Sequence, residues 1–254
     1  MEIKFLGTGA SPGVPMLACT CKVCKSRDPR NKRLRASILV QNGHFNILVD
    51  TSTDLRQQCL THQIQDINAI LFTHHHADHI LGMEELRAFN FIHQKIIPCY
   101  GREETFAEIK KIFRYIFQKN SSYKGSISQV DLNIISNSPF NLGGIKITPL
   151  DIIHGNLTIC GYKFDSCAYI TDCSEIPEHT QYHLRNLDLL ILNALRYEPH
   201  PTHLNFERAI EWVNILKPKR ALFTHMNHQI EYKNASQQLP KNVEIAYDGM
   251  LVTL

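Results

Sequence analysis

The apolar run Ala69-Ile70-Leu71-Phe72 passes directly into Thr73-His74-His75-His76-Ala77-Asp78-His79. An apolar run of this length, bounded by polar residues, predicts a covered strand. The residues after it predict that the strand delivers its end to a cluster of metal ligands. His74 and His76 lie two apart, so on extended chain they point the same way. Asp78 and His79 follow where the chain turns and can face a second ion. Imidazole with carboxylate suits zinc, iron or manganese in a hydrolytic site rather than an electron-transfer one. A histidine run can also be a tag or a solvated loop, but this one is internal and flanked by Gly82 and a buried-strand pattern. His75 points away from its neighbours and reads as a packing or supporting residue.

The other candidates share one placement. Strands are predicted over 145–153, 157–164, 167–170, 187–192 and 221–224, besides 3–6, 37–40, 45–49 and 69–72. Asn42-Gly43 marks a hairpin between two of them. His154, Asp172 and His225, like His74, fall just past a strand. Short helices are expected over 54–60 and 84–90, a long one over 103–118, and one over 206–216 capped by Asn205. Lys119–Lys124 reads as a polar turn. Strands and helices mixed in two similar halves predict an α/β fold, an αββα sandwich of two mixed sheets with helices outside, as a single domain over 1–254.

Eight cysteines occur. Five are scattered among apolar residues and read as small buried hydrophobes. Cys19, Cys21 and Cys24 form Cys-x-Cys-x-x-Cys, which reads as part of a metal site in a loop near 16–30, needing a fourth ligand. A hydrophobic content of 43% and net charge of +3 describe an ordinary globular chain and give no signature of a nucleic-acid binder. The basic stretch Arg27, Arg30, Lys32, Arg33 and Arg35 reads as a solvated loop, with attraction of an anionic substrate as the competing role. No apolar run reaches membrane-spanning length, and Met1–Leu6 lacks the features of a signal peptide, so the expected location is the cytoplasm.

Taken together, His-x-His-x-Asp-His at 74–79 with His154, Asp172 and His225 resembles the metallo-β-lactamase superfamily of metallohydrolases. The resemblance implies that His74, His76 and His154 hold one divalent ion, that Asp78, His79 and His225 hold a second, and that Asp172 bridges them. The ions are expected to be zinc or manganese, activating a shared hydroxide. Phe5-Leu6-Gly7-Thr8-Gly9 followed by the cysteine loop is similar to the subgroup containing the cyclic phosphodiesterase of phosphonate breakdown, PhnP. That resemblance implies a structural zinc on Cys19, Cys21, Cys24 and His228. It also implies catalytic roles for Asp78 and for His203, which would bind the phosphoryl group or protonate the leaving oxygen. His203 also reads as a helix-entry residue without chemistry, and the neighbouring His200 has no assigned role. Asp50 either orients a ligand histidine or is a simple turn residue. The expected substrate is a small phosphate diester, cyclic like phosphoribosyl 1,2-cyclic phosphate, with no membrane or nucleic-acid partner and with a homodimer left open. Two alternatives are a tRNA-processing nuclease of the RNase Z type, for which the insertion around 119–131 is short, and a carrier like the PQQ-biosynthesis protein.

Overall fold

The computed structural model describes residues 1–118 and 127–254, so the predicted turn at 119–124 and much of the 119–131 insertion lie outside the described residues. Strands β1 (Glu2–Gly7), β2 (Ser37–Asn42), β3 (Phe45–Val49), β4 (Ala69–Leu71), β5 (Ile97–Gly101) and β6 (Val130–Ile134) build one sheet. Strands β7 (Phe140–Leu142), β8 (Ile145–His154), β9 (Leu157–Phe164), β10 (Cys167–Ile170), β11 (Leu189–Asn193), β12 (Arg220–Thr224) and β13 (Val243–Ile245) build the other. The final strand, β14 (Leu251–Thr253), returns to pair with β1, so the orders are β14-β1-β2-β3-β4-β5-β6 and β13-β12-β11-β10-β9-β8-β7. Each sheet is mixed: β3 to β6 and β10 to β13 run parallel, and the remaining pairs are antiparallel.

The alternation along each strand explains the layers. Ile47 and Val49 join Ile3, Phe5, Tyr162 and Ile191 in the core between the sheets, whereas Leu48 between them faces outward and packs with Leu55, Ile80, Leu86 and Phe106. The second sheet's outer face, with Leu190, Leu192 and Phe223, is covered by Phe206, Trp212 and Val213. Each such aliphatic or aromatic side chain taken out of water contributes about 1.5–3 kcal/mol. The expected αββα sandwich is therefore the observed architecture. No described helix is long and apolar enough to cross a membrane.

Eight α-helices lie among the described residues: α1 (Leu55–His62), α2 (Ala77–Ile80), α3 (Leu86–His93), α4 (Glu103–Ile112), α5 (Arg114–Phe117), α6 (Glu178–Leu184), α7 (Phe206–Leu216) and α8 (Tyr232–Ser236). Asn205 caps α7 as expected, its side chain accepting the Arg208 N–H at 3.0 Å. The single helix expected over 103–118 is instead two, broken at Phe113 (φ −100°, ψ 39°). Phe113 at the break is buried, while Ile112 beside it is exposed. The helix expected over 84–90 begins later, after a 3₁₀ turn at Leu81–Glu85.

The glycines of Phe5-Leu6-Gly7-Thr8-Gly9 have a steric reason. A Cβ at Gly7 would stand 2.0 Å from the Arg35 carbonyl oxygen, and one at Gly9 would stand 2.8 Å from that of Arg33. The end of β1 thus lies directly on the backbone of 33–35. The later part of the basic stretch, Lys32 to Arg35, is correspondingly built in, while Arg27 and Arg30 stay exposed. Arg33 is buried and donates to the Ile230 carbonyl at 2.8 Å, and Arg35 pairs with Asp54 at 3.0 Å. Arg30 pairs with Asp28 at 2.8 Å at the surface, and Lys32 donates to the Cys24 carbonyl at 2.9 Å. Neither the solvated-loop reading nor the anion-attracting one survives for Arg33.

Candidate metal centre

Parallel strands bring their carboxyl ends to one edge, and the candidate residues leave from those ends. Asp50 follows β3, His74 stands three residues past β4, Asp172 two past β10 and His225 one past β12. His154 is the last residue of β8 rather than the first beyond it. Asp50, Asp172 and His225 have φ of 63°, 53° and 56°, the left-handed region that non-glycine residues rarely adopt. Each such turn swings a side chain back across the sheet edge.

Three sets of ligand atoms lie mutually within 4.8 Å: His74 with His76 and His154; Asp78 with His79 and His225; and His74 with His79 and Asp172. The third set interlocks the other two. All seven side chains are buried except His76, which is half-buried. His75 belongs to none of the sets. A further set joins His154 and Asp172 to His203, whose Nε2 lies 3.0 Å from Asp172 Oδ1.

The hydrogen bonds leave specific atoms free. His79 Nδ1 lies 2.7 Å from Asp50, His154 Nδ1 lies 2.7 Å from the Thr202 carbonyl, and His74 Nδ1 lies 3.0 Å from Thr73 Oγ1. With Nδ1 engaged, each ring presents Nε2 inward. Buried His74 Nε2, His79 Nε2, His225 Nε2 and Asp78 Oδ2 have no hydrogen-bond partner among the described residues. Orphaned buried polar atoms are costly, and four of them converging with this donor set fit divalent ions. Burial holds His74 well below the ordinary imidazole range, leaving its lone pair available. Burial would lower His79 as well, but the carboxylates of Asp172, Asp78 and Asp50 hold it well above that range. Burial would raise Asp172, yet His225 and His79 keep its carboxyl well below its usual value.

Asp50 is fully buried and takes, besides His79, the Thr73 N–H at 2.8 Å and the Thr73 hydroxyl at 2.7 Å. Of its two sequence readings, the supporting contact to a ligand histidine is the one the geometry contains. Thr73, Thr202 and Asn193 were not legible as site residues. Asn193 Oδ1 accepts the Cys173 N–H at 2.7 Å and so pins the turn at Asp172.

A second candidate centre lies at the cysteine loop. His228 Nδ1 is 3.1, 3.6 and 3.7 Å from the sulfurs of Cys19, Cys21 and Cys24, and the four ligand atoms lie within 4.8 Å of one another. The Cys24 N–H donates to Cys21 Sγ at 3.4 Å and lowers that thiol to about 6. Burial pushes Cys24 up to about 11. Three thiols and one imidazole at tetrahedral count, with an N–H aimed at one sulfur, fit one zinc ion. The other five cysteines are all buried and unpaired.

A sandwich of two mixed sheets carrying a histidine and aspartate cluster at its strand ends defines a class of metal-dependent proteins. Residues 45–226 match the model of the beta-lactamase superfamily domain, and the chain belongs to the metallo-β-lactamase superfamily. It is similar to a crystal structure described as a new diphosphatase from the PhnP family, at TM-score 0.93 and 38% identity, covering 100% of this chain and 97% of that one. Zn(2+)-bound PqqB from Methylobacterium extorquens shares the fold at TM-score 0.81 and 21% identity, with 100% of both chains covered. In sequence, the chain is 33% identical over 253 residues to a protein of Porphyromonas gingivalis named octanoyltransferase. That match takes in 98% of this chain but 51% of the relative, so the chain spans about half its length.

Proposed function

We propose that this chain is a binuclear metal-dependent phosphoric diester hydrolase acting on a small cyclic diester such as phosphoribosyl 1,2-cyclic phosphate. The observation that carries the reading is the interlocking of the three ligand sets through His79 and Asp172, with His203 against that same Asp172. In this reading His74, His76 and His154 hold one ion of zinc or manganese, and Asp78, His79 and His225 hold the other. Asp172 serves both, and a structural zinc sits on Cys19, Cys21, Cys24 and His228. Divalent ions bound there would supply an activated water and offset the negative charge that develops on the phosphoryl and leaving oxygens. The chain's own part is orientation and proton placement. Asp50 and Thr202 fix the ligand rings, and His203 presents a ring nitrogen to the phosphoryl or leaving oxygen. Asp78, buried beside His79 and His225, takes its catalytic part by holding the second ion and the water activated there. The likeness to a PhnP-family diphosphatase over the whole chain supports chemistry at phosphorus.

A second reading is hydrolysis of a medium-chain acyl ester or thioester. It rests on the relative named octanoyltransferase and on the fact that such a centre polarises a carbonyl as it does a phosphoryl group. The zinc- or manganese-loaded chain should be assayed on bis-p-nitrophenyl phosphate, on phosphoribosyl 1,2-cyclic phosphate and on p-nitrophenyl octanoate. Metal-dependent turnover of the phosphodiesters supports the proposal. Turnover confined to the octanoate supports the second reading, and full metal content without turnover of any of them supports a carrier.

A further inference from the structure

One residue touches both a metal ligand and the histidine beside the metal centre. The Thr202 carbonyl accepts from His154 Nδ1 at 2.7 Å, and the Thr202 hydroxyl lies 2.8 Å from His203 Nδ1. On its other side His203 places Nε2 at 3.0 Å from Asp172 Oδ1. An ionised carboxylate only accepts hydrogen bonds, so His203 Nε2 carries the hydrogen. In a neutral ring this leaves Nδ1 as an acceptor that needs a donor. His200 Nδ1 is near it at 3.2 Å, but that atom receives the Thr202 backbone N–H at 3.3 Å and is itself an acceptor. The donor is then the Thr202 hydroxyl, whose contact with His203 Nδ1 at 2.8 Å is shorter than its contact with His200 Nδ1 at 3.2 Å.

The residue is held where it can do both. Arg196 donates to the carbonyls of Glu198 at 3.2 Å and Pro199 at 2.7 Å, and Asn205 Nδ2 ties the Tyr197 carbonyl at 2.9 Å, so the loop entering α7 is braced along its length. Opposite, Gly155 (φ +61°) opens the β8–β9 turn, where a Cβ would stand 2.7 Å from Thr202 Cγ2. The hairpin that carries His154 is thereby seated on the Thr202 methyl.

We propose that Thr202 is a positioning residue that sets the ring of His154 through its carbonyl and locks His203 in the Nε2–H tautomer through its hydroxyl. The lock keeps the ring hydrogen of His203 on Nε2, the nitrogen beside Asp172. The catalytic consequence rests on the phosphodiesterase reading, while the tautomer does not. The test compares Thr202→Val, which keeps the shape, the methyl contact and the carbonyl, with Thr202→Ser, which keeps the hydroxyl. Imidazole nitrogen shifts of the zinc-loaded full chain, labelled with ¹⁵N-histidine, report the tautomer of His203. The expected result is Nε2–H in the wild type and the Ser variant, with Nδ1–H appearing in the Val variant at unchanged zinc content. On bis-p-nitrophenyl phosphate, kcat of the Val variant should fall about tenfold at unchanged KM, the scale of one lost hydrogen bond, and the Ser variant should recover it. An Nδ1–H ring in the wild type, an unchanged tautomer in the Val variant, or loss of zinc in that variant overturns the proposal. A tautomer change seen where the wild type turns over no phosphodiester leaves the positioning role standing and removes the phosphodiesterase reading instead.

Discussion

Asp50 makes three short contacts with two residues, Thr73 and the ligand candidate His79. Replacing it by Asn leaves the volume but turns an N–H₂ toward groups that already donate. Asp50→Asn should weaken metal binding by about 10–100-fold, read by titration against a competing chelator; an unchanged affinity would leave Asp50 as a turn residue. Asp172 faces His79 at 3.1 Å, His225 at 3.2 Å and His203 at 3.0 Å, so Asp172→Ala should abolish turnover while far-UV circular dichroism stays unchanged. Retained activity would remove Asp172 from the centre. Away from that site, Asp248 accepts from Thr8 Oγ1 and the Leu34 N–H, both at 2.7 Å, and burial pushes its carboxyl up to about 7 from 3.8. The unfolded chain loses that proton near 3.8 and the folded chain holds it until about 7. This contribution to stability is therefore complete below the lower value and is lost as pH rises through the upper one. Asp248→Asn keeps an acceptor for Leu34 and can donate to Thr8. It should flatten the loss of stability between roughly pH 4 and pH 8, measured by urea unfolding; an identical pH slope in both proteins would show that Asp248 does not titrate there.

At the scale of the element, the cysteine loop and α7 depend on opposite kinds of support. The loop's own apolar cluster is Val14, Val23 and Cys24, too small to fix the chain between β1 and β2. Its ligands instead reach across the molecule to His228, three residues beyond His225, and Arg33 ties the same segment through Asn227 and Ile230. Cys21→Ser should cost one zinc per chain by elemental analysis and lower the melting temperature; an unchanged zinc count would reject the clip. In α7, Phe206, Ala209, Trp212, Val213 and Leu216 form one buried face, so packing supports the helix and its cap adds a local increment. Asn205→Ala should destabilise the chain by about 1 kcal/mol in denaturant unfolding, and no measurable change would assign the start of α7 to packing alone.

For the whole molecule, the two sheets meet so that β3, β4, β8, β10 and β12 all end at one edge, and ions bound there would tie both halves of the chain together. Ions that bind the folded but not the unfolded state raise stability by mass action. A chelator should accordingly lower the melting temperature, and zinc should restore it; a transition indifferent to metal would mean the edge is held without ions. Much of this frame was legible in the sequence. The run of ligands at 74–79, the hairpin at Asn42-Gly43, the cap at Asn205 and the apolar strands at 69–72 and 187–192 each carry a local chemical signature. Less legible were β5 and β6. Ile97-Pro98-Cys99-Tyr100-Gly101 contains a proline and a glycine that argue against a strand, and Val130-Asp131-Leu132-Asn133-Ile134 is an edge whose alternation is only partly apolar. The break at Phe113 was hidden because an unbroken apolar stripe runs through it. What the sequence determined by itself was the chemistry available, since ligand types and strand ends are properties of neighbouring residues. Which nitrogen of each histidine faces inward was decided only by the tertiary structure, as was the burial of Arg33 and the meeting of Thr202 with His154 and His203. Arg33 meets Ile230 197 positions away and Thr202 meets His154 48 positions away, and no local pattern records such contacts.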